Sequence, residues 1–249
     1  MPKTILITGA SSGLGAEMAL QFAALGHDLA LCARRTDRLE VLRKDILTAH
    51  PDQRVEVRAL DVNDHTAVFE VFGAFRSDFG TIDRVVVNAG VGNGARIGTG
   101  RFENNRQSAM TNFLGALAQT EAAVEIFRDQ GAGHLVMISS VSAMRGMPGS
   151  ITTYAATKAG VAHLAEGVRA DLLGSRIRVS VIYPGYIRSE MNESVRNPPF
   201  MVSTEKGVAA IVDAVEKEKP RALVPAWPWV PVGFALRYLP LPLARRLMG

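Results

Sequence analysis

The chain has 249 residues, of which 47% are hydrophobic and 21% are charged, and its formal net charge is +4. This length and balance suit one globular α/β domain with a substantial core. Basic and acidic residues are mixed along the chain, whereas a nucleic-acid groove normally shows a dense basic stripe, so we expect no nucleic-acid partner.

The number of cysteines and the spacing of the histidines argue against a disulfide and a metal site. Cys32 is the single cysteine, so no intrachain disulfide can form, and we expect a reducing, cytoplasmic compartment. The five histidines show no metal-ligand spacing, and we expect no metal site. We expect neither a signal peptide nor a membrane span, since the chain begins with a predicted strand and lacks an apolar run of roughly 18 residues.

Apolar segments of strand length alternate with helical patterns along the chain. Several are continuous runs of Val, Ile and Leu, typical of strands buried on both faces of a parallel sheet. The predicted strands are Thr4–Thr8, Asp28–Ala33, Val55–Ala59, Arg84–Asn88, His134–Ser139, Arg178–Tyr183 and Ala222–Pro225. The predicted helices cover about Gly13–Leu25, Asp37–Ala49, Asp64–Phe79, Arg106–Asp129, Thr153–Leu173 and Thr204–Glu218. This alternation predicts a single-domain, Rossmann-type α/β fold: a doubly wound parallel sheet of about seven strands with helices on both faces.

Two segments interrupt the alternation. Val91–Asn105 is rich in Gly, Asn and Arg, and we predict a long loop at the carboxyl edge of the sheet, where loops shape ligand sites. The apolar C-terminal extension, residues 226–249, follows the main domain, residues 1–225, and is expected to pack on it. Its Trp, Tyr and Arg residues also suit a subunit contact, a cover over a substrate entrance or, less readily, peripheral contact with a membrane.

A glycine-rich turn joins the first predicted strand to the first predicted helix. Its spacing is G-x-x-x-G-x-G, in place of the usual G-x-G-x-x-G of dinucleotide-binding turns. Such a turn lets the backbone approach a pyrophosphate and aims a helix N-terminus at it. The residues assigned to this phosphate site are Gly9, Ser11, Ser12, Gly13, Leu14 and Gly15.

The end of the second predicted strand indicates which nicotinamide cofactor binds. In a dinucleotide fold an acidic residue here accepts from the adenosine 2′-hydroxyl, whereas an arginine accommodates a 2′-phosphate. This chain has Ala33 followed by Arg34 and Arg35, which favours NADP(H), with NAD(H) as the alternative. Both arginines could instead be solvated charges at the start of a helix.

Two further strand ends carry candidate cofactor-binding residues. Asp61 and Val62 follow the third strand, where a carboxylate can accept from the adenine amino group or simply cap the next helix. Asn88, Ala89 and Gly90 close the fourth strand, and they suit a sharp turn beside a ligand or an ordinary strand end.

The candidate catalytic residues lie in the second half of the chain. One strand ends at Ser140, and Tyr154 and Lys158 lie one helical turn apart on the same face of the next predicted helix. A nearby ammonium lowers the pKa of a phenol and makes it a better general acid, while a serine hydroxyl can bind the same substrate oxygen. A single Tyr-x-x-x-Lys motif also occurs by chance, and most such motifs are solvated surface pairs without a catalytic role.

The motifs together resemble the short-chain dehydrogenase/reductase (SDR) family over about residues 3–225. They occur in one order: the glycine turn, Asn88-Ala89-Gly90, Asn112, Ser140, Tyr154-x-x-x-Lys158 and Pro184-Gly185.

The resemblance implies a role for each residue of the catalytic half. Tyr154 would be the general acid/base, and Lys158 would assist it while binding the nicotinamide ribose. Ser140 would orient the substrate carbonyl, and Asn112 would complete a proton relay through water. The segment 184–189 resembles the family's nicotinamide-side loop, with cofactor-binding residues Pro184, Gly185, Ile187 and Ser189, the last standing where threonine is more usual.

The spacing departs from the family pattern in one place. The interval between Ser140 and Tyr154 is one residue longer than is common, and we expect Pro148–Ile151 to absorb the extra residue. Ser139 and Ser142 are alternatives to Ser140, but Ser140 keeps the family register.

A group of apolar residues falls in segments that would border the substrate site. They are Met144, Met147, Ile151, Tyr186, Met191, Phe200 and Met201. Such a wall favours a lipophilic substrate, although methionines also fill cores. Glu190–Met201 is predicted to form a substrate lid.

The sequence thus predicts an NADP(H)-dependent oxidoreductase that transfers a hydride between the nicotinamide and a carbonyl or secondary alcohol, such as a ketone, ketoacyl, steroid-like or aldehyde compound. The resemblance also implies a homodimer or homotetramer. One alternative is a catalytically idle, nucleotide-sensing module, which would not need Ser140, Tyr154 and Lys158 together. Another is a sugar-nucleotide epimerase, for which the short C-terminal part leaves little room.

Overall fold

A seven-stranded parallel sheet forms the centre of the computed structural model, which describes residues 2–192 and 198–247. The strands are β1 (Thr4–Thr8), β2 (Asp28–Ala33), β3 (Val55–Ala59), β4 (Arg84–Val87), β5 (Gly133–Ile138), β6 (Ile177–Pro184) and β7 (Arg221–Val224). Their order is β3-β2-β1-β4-β5-β6-β7, and every neighbouring pair is parallel. The predicted Rossmann-type fold class is confirmed.

Helices cover both faces of the sheet within the described residues. They are α1 (Gly13–Ala24), α2 (Thr36–Ala49), α3 (His65–Phe79), α4 (Phe102–Ala109), α5 (Gly115–Gln130), α6 (Thr152–Asp171), α7 (Thr204–Glu216), α8 (Ala226–Tyr238) and α9 (Leu241–Leu247). Because side chains alternate along a strand, each strand contributes to two cores. One core contains side chains of α1, α2 and α7, and the other contains side chains of α3, α5 and α6.

The strand order reverses between β1 and β4, which lie side by side at the centre of the sheet. Ligands of open α/β sheets bind beyond the carboxyl ends of the strands at such a point. Here the Thr8 hydroxyl accepts hydrogen bonds from the backbone N–H groups of Asn88 and Ala89, both at 3.1 Å. The Asn88 amide donates back to the Thr8 carbonyl at 2.9 Å, so the two strand ends are held together as one rigid floor.

The structure corrects the predicted loop Val91–Asn105, because α4 begins at Phe102, inside that segment. Its polar composition concealed the helix, since Asn105 is buried and its side-chain oxygen accepts from the backbone N–H of Ala95 at 2.9 Å. The single helix predicted over Arg106–Asp129 is also divided. A π-helical segment, Met110–Leu114, separates α4 from α5.

The C-terminal extension forms α8 and α9, and α8 packs on the end of the sheet. A Cβ added to Gly233 would lie 2.5 Å from the Leu223 side chain, so α8 lies directly against β7. Arg145 donates to the carbonyls of Leu236 and Leu239 at 3.0 and 2.6 Å, near the C-terminal end of this helix. The outer face of the extension remains open, with Trp227 80% exposed and Phe234 68% exposed.

No helix within the described ranges is both long and apolar enough to cross a membrane. Residues 248 and 249 of the extension lie outside the described part of the chain.

A buried arginine connects the sheet to α7. Arg84, on β4, is 0% exposed; its Nε donates to His134 Nδ1 at 3.0 Å, and its Nη1 pairs with Glu216. Burial, reinforced by the charge of Arg84, lowers the pKa of His134 to about 3. The imidazole is therefore neutral, and its other nitrogen carries the proton and donates to Ser180 at 2.8 Å.

Cys32, on β2, is completely buried. Burial raises the pKa of its thiol far above the usual range, because a thiolate would lose its hydration there. The thiol is consequently unreactive, although it lies beneath the cleft described next.

Candidate active site

A cleft of about 1300 Å³, including space open to solvent, runs along the carboxyl edge of the sheet. It extends from the ends of β3 and β2, past the glycine turn after β1, to α6 and the loop after β6. Most of the predicted site residues line it: Gly9, Ser11, Ser12, Gly13, Leu14, Arg34, Arg35, Asp61, Val62, Asn88, Ala89, Gly90, Ser140, Tyr154, Lys158, Pro184, Gly185, Ile187 and Ser189. Gly15 and Asn112 do not line it.

The glycine turn fits a pyrophosphate. Gly9 and Gly13 have φ angles of +65° and +54°, the left-handed region that favours glycine. Ser12 is the N-cap of α1, and its side chain makes no capping bond to the helix within the described structure. First-turn N–H groups of α1 are thus left for an anion in the cleft. Gly15 serves packing instead, since a Cβ there would lie 2.4 Å from the Gly9 carbonyl oxygen.

Asn112 lies behind the cleft wall. It belongs to the π-helical segment and is buried; its side-chain oxygen accepts from the Val91 N–H at 2.7 Å, and its amide donates to the Val91 carbonyl at 2.9 Å. A Cβ added to Gly90 would lie 3.2 Å from the Asn112 oxygen and 3.5 Å from Lys158 Nζ. The amide therefore holds the loop after β4 and lies close to the ammonium of Lys158.

Tyr154, Lys158 and Ser140 meet at one end of the cleft. The two α6 side chains are neighbours, with Lys158 Nζ 5.9 Å from the centroid of the Tyr154 ring. Lys158 is 5% exposed, and its ammonium donates to the Ile138 carbonyl at 2.8 Å. Ser140, immediately after β5, lines the same end.

The neighbouring serines are less suitable. Ser139 is buried, and its hydroxyl donates to the Lys158 carbonyl at 2.7 Å, which fixes α6 against β5. Ser142 is buried and does not line the cleft. The extra residue between Ser140 and Tyr154 falls within a stretch that includes a short 3₁₀ turn, Gly149–Ile151.

Burial controls the pKa values of Tyr154 and Lys158. It raises the pKa of Tyr154, and the Ser140 hydroxyl opposes this rise. Burial also lowers the pKa of Lys158 to about 8. The structure therefore departs from the expected lowering of the Tyr154 pKa by the ammonium, because removal of the phenol from water raises that pKa.

The lowered pKa of Lys158 predicts a pH-dependent stability. Between pH 8 and 10.5, the ordinary value, Lys158 holds a proton in the unfolded chain that the folded protein lacks. The free energy of unfolding should rise with pH across this window and decline as pH falls towards 8. Denaturant unfolding at pH 7 to 10 should show this rise in the wild type and its loss in Lys158→Met. An exposed-lysine variant, Lys206→Met, should keep the wild-type slope; equal slopes in all three proteins would contradict the prediction.

The predicted arginines differ in their surroundings. Arg34 is exposed. Arg35 donates from Nε to the Ser11 hydroxyl at 3.3 Å and from Nη2 to the Ser12 hydroxyl at 2.6 Å. It also pairs with Glu190, a cleft-lining residue that the sequence analysis placed only in the lid. No local pattern indicates this pair, since its partners are 155 positions apart.

Trp229 of α8 is a second residue that sequence reasoning missed. It is 3% exposed, and a Cβ on Gly185 would lie 1.9 Å from its indole nitrogen. Its ring lies 5.9 Å from the rings of both Tyr186 and Phe200. The extension therefore packs against the loop after β6. The Trp-Pro-Trp sequence, residues 227–229, is the local sequence feature that could have indicated this contact.

The apolar residues predicted to border the substrate site line the cleft only in part. Met191 lines the cleft, and Met144 lies under Gly233 of α8. The middle of the predicted lid, residues 193–197, lies outside the described residues. Within the described ranges, no group of three or more His, Cys, Asp or Glu side chains is placed to hold a metal ion.

Comparisons with known proteins agree with the fold. A family model described as short chain dehydrogenase matches residues 3–199. An uncharacterized oxidoreductase of Mycobacterium tuberculosis is 51% identical over 242 residues, which cover 97% of this chain and 96% of that relative.

Solved structures are similar over nearly the whole chain. An alcohol dehydrogenase from the archaeon Thermococcus sibiricus, complexed with 5-hydroxy-NADP, has a TM-score of 0.80 and 25% identity, covering 90% of this chain and 96% of that one. A short chain dehydrogenase/reductase from Burkholderia phymatum, in complex with NAD, has a TM-score of 0.85 and covers 98% and 95%, but at 22% identity it supports the fold alone.

The sheet order and the cleft at its carboxyl edge define a Rossmann-type protein. With the match over residues 3–199 and the similarity to the M. tuberculosis relative, the chain belongs to the short-chain dehydrogenase family and is an oxidoreductase.

Proposed function

We propose that this protein is an NADP(H)-dependent reductase or dehydrogenase that interconverts a lipophilic carbonyl compound and its secondary alcohol. The observation that carries the proposal is the meeting of Ser140, Tyr154 and Lys158 in the same cleft that the glycine turn lines. A nucleotide-sensing module would need the glycine turn but not this cluster of proton donors.

The cofactor, when bound, supplies or accepts the hydride at the substrate carbon. In the reducing direction, that carbon gains the hydride while Tyr154 gives its phenolic proton to the substrate oxygen, so an alcohol forms. In the oxidising direction, the tyrosinate takes that proton back. Ser140 donates a hydrogen bond to the same oxygen and keeps it within reach of the phenol.

Lys158 has two roles in this proposal. Its ammonium, when protonated, stabilises the tyrosinate that remains after proton transfer, and it can hydrogen-bond the nicotinamide ribose. Asn112 acts as a positioning residue, because its two hydrogen bonds to Val91 fix the loop beside the lysine. A water between Asn112 and Lys158 would extend the proton path towards solvent.

The fit of the cofactor rests on four parts of the cleft. The α1 N-terminus would hold the pyrophosphate, and Arg35 with Arg34 would bind the 2′-phosphate. Asp61 and Val62 would border the adenine, while Ile187 and Ser189 would border the nicotinamide. Two solved relatives hold different cofactors, 5-hydroxy-NADP and NAD, so the preference for NADP(H) is supported by the arginines of this chain alone.

The preference predicts a selective effect of Arg35→Ala. Losing a charge-assisted contact to phosphate should weaken NADPH binding roughly tenfold, with little change for NADH, which lacks that phosphate. Fluorescence titration with both cofactors measures the two dissociation constants. Arg43→Ala, which removes a charge from the same helix outside the cleft, is the matched control. An unchanged ratio of the two constants in Arg35→Ala would refute the preference.

The substrate class is tested by a panel of ketones, aldehydes, sugars and alcohols, followed by NADPH and NADH absorbance. Turnover should be greatest with apolar carbonyl compounds, because Tyr186, Phe200 and Trp229 form an aromatic group beside the nicotinamide-side loop. Sugars as the best substrates would contradict the lipophilic assignment. Absence of hydride transfer with every compound would favour the nucleotide-sensing alternative.

We also propose a division of the chain into a main unit, residues 1–225, and an extension, residues 226–249. The protein would act on a small molecule in the cytoplasm as a homodimer or homotetramer, as members of this family commonly do.

A further inference from the structure

The carboxylate of Glu190 contacts two arginines at the start of α2. Glu190 Oε2 accepts from Nη1 and Nη2 of Arg35 at 3.1 and 3.2 Å, and Oε1 accepts from Nη1 of Arg38. Glu190 belongs to the segment after the nicotinamide-side loop, whereas the arginines lie at the adenosine end. The hydrogen bonds from Arg38 and Arg35 hold the pKa of Glu190 below its usual range, so it is a carboxylate at neutral pH.

These contacts occupy the guanidinium of Arg35 on every nitrogen. Nε donates to Ser11, Nη2 donates to Ser12 and Glu190, and Nη1 donates to Glu190. These contacts use four of the five N–H groups, so a 2′-phosphate that binds this guanidinium through two parallel hydrogen bonds must replace at least one acceptor already present. The serine hydroxyls can turn and donate to a phosphate, but Glu190 carries a charge of the same sign and has no proton to offer.

We propose that Glu190 is an internal competitor for the cofactor's 2′-phosphate and so sets how strongly the protein prefers NADP(H) over NAD(H). This inference rests on the proposed function, because it assigns the arginines to that phosphate. NAD(H) has a hydroxyl in place of the phosphate and meets no such competition. Glu190 thus weakens the binding of NADPH but not of NADH, which reduces the difference between the two affinities.

The competitor role predicts tighter NADPH binding in Glu190→Gln. Gln keeps the size of the side chain but removes the negative charge. Both partners are partly exposed, at 41% and 48% of their side chains, so the effect is that of a solvent-screened pair, and the NADPH dissociation constant should fall about fivefold. The NADH constant should stay nearly unchanged. The measurement is a fluorescence titration of the full chain with each cofactor at about 0.1 M salt, where such pairs are only partly screened.

Glu40→Gln is the matched control. It makes the same charge change on α2, but its carboxylate pairs with Arg43 at 3.6 Å and does not line the cleft. It should leave both dissociation constants close to wild type. In an Arg35→Ala background, Glu190→Gln should no longer tighten NADPH binding, because the competition is for the Arg35 guanidinium.

Two outcomes would overturn the inference alone. One is an unchanged NADPH dissociation constant in Glu190→Gln. The other is an equal rise of the NADPH and NADH dissociation constants, which would mean that the ion pair helps to retain either cofactor in the cleft. Failure of the proposed function looks different. In that case Arg35→Ala leaves the ratio of the NADPH and NADH dissociation constants unchanged. The competitor role of Glu190 is then refuted together with the proposed function.

Discussion

Tyr154→Phe is expected to lower the turnover number about 10²–10⁴-fold, the usual contribution of a general acid. The substitution keeps the aromatic ring against Lys158 and removes only the hydroxyl that would give its proton to the substrate oxygen. Cofactor affinity should be nearly unchanged, because the residues proposed to bind the pyrophosphate and the adenosine lie in other parts of the cleft. Steady-state kinetics and a separate cofactor titration measure the two quantities.

Tyr238→Phe is the matched control, since Tyr238 is an exposed residue of α8 and should retain wild-type turnover. Equal turnover in Tyr154→Phe and the wild type would remove Tyr154 from the mechanism. Loss of cofactor binding in Tyr154→Phe would instead point to a role in holding the nicotinamide.

Arg84→Ala is expected to lower the free energy of unfolding by about 3–5 kcal/mol, the usual cost of breaking a buried ion pair. Removing the guanidinium leaves Glu216 half-buried without its main partner. Burial alone would raise the pKa of Glu216, but the hydrogen bond and charge of Arg84, with smaller contributions from His27 and Lys3, hold it below its usual value. Denaturant unfolding followed by circular dichroism measures the loss.

Two comparisons separate charge from packing at this position. Arg58→Ala breaks a more exposed ion pair with Asp78 and should cost much less. Arg84→Ala combined with Glu216→Gln should recover part of the loss, since the uncompensated carboxylate is then gone. If Arg84→Ala costs no more than Arg58→Ala, the buried network does not hold α7 on the sheet.

The parallel sheet could be predicted because several strands are short, continuous apolar runs and all of them alternate with helical patterns. Local spacing also placed Tyr154 and Lys158 on one face of α6, and it placed the glycine turn between β1 and α1. These features depend on residues close together in the chain. The first turn of α4, before Arg106, was not predicted, because the buried side of this helix uses Asn105 and Ser108 instead of apolar residues.

What could not be predicted depends on distant parts of the chain. The pair between Arg35 and Glu190 forms only because the loop after β6 lies beside the start of α2. Trp229 meets Gly185 only because α8 folds back over the sheet edge. The pKa of Tyr154 depends on burial, which overrides the simple expectation from its neighbour Lys158.

Because Cys32 is buried and the chain has no other cysteine, we expect the native protein to react very slowly with maleimide reagents. A dye attached through Phe234→Cys, on the open face of the extension, would report on one known position. No native cysteine has to be removed first, so movements of α8 during turnover can be followed by fluorescence in a protein whose cleft is unaltered.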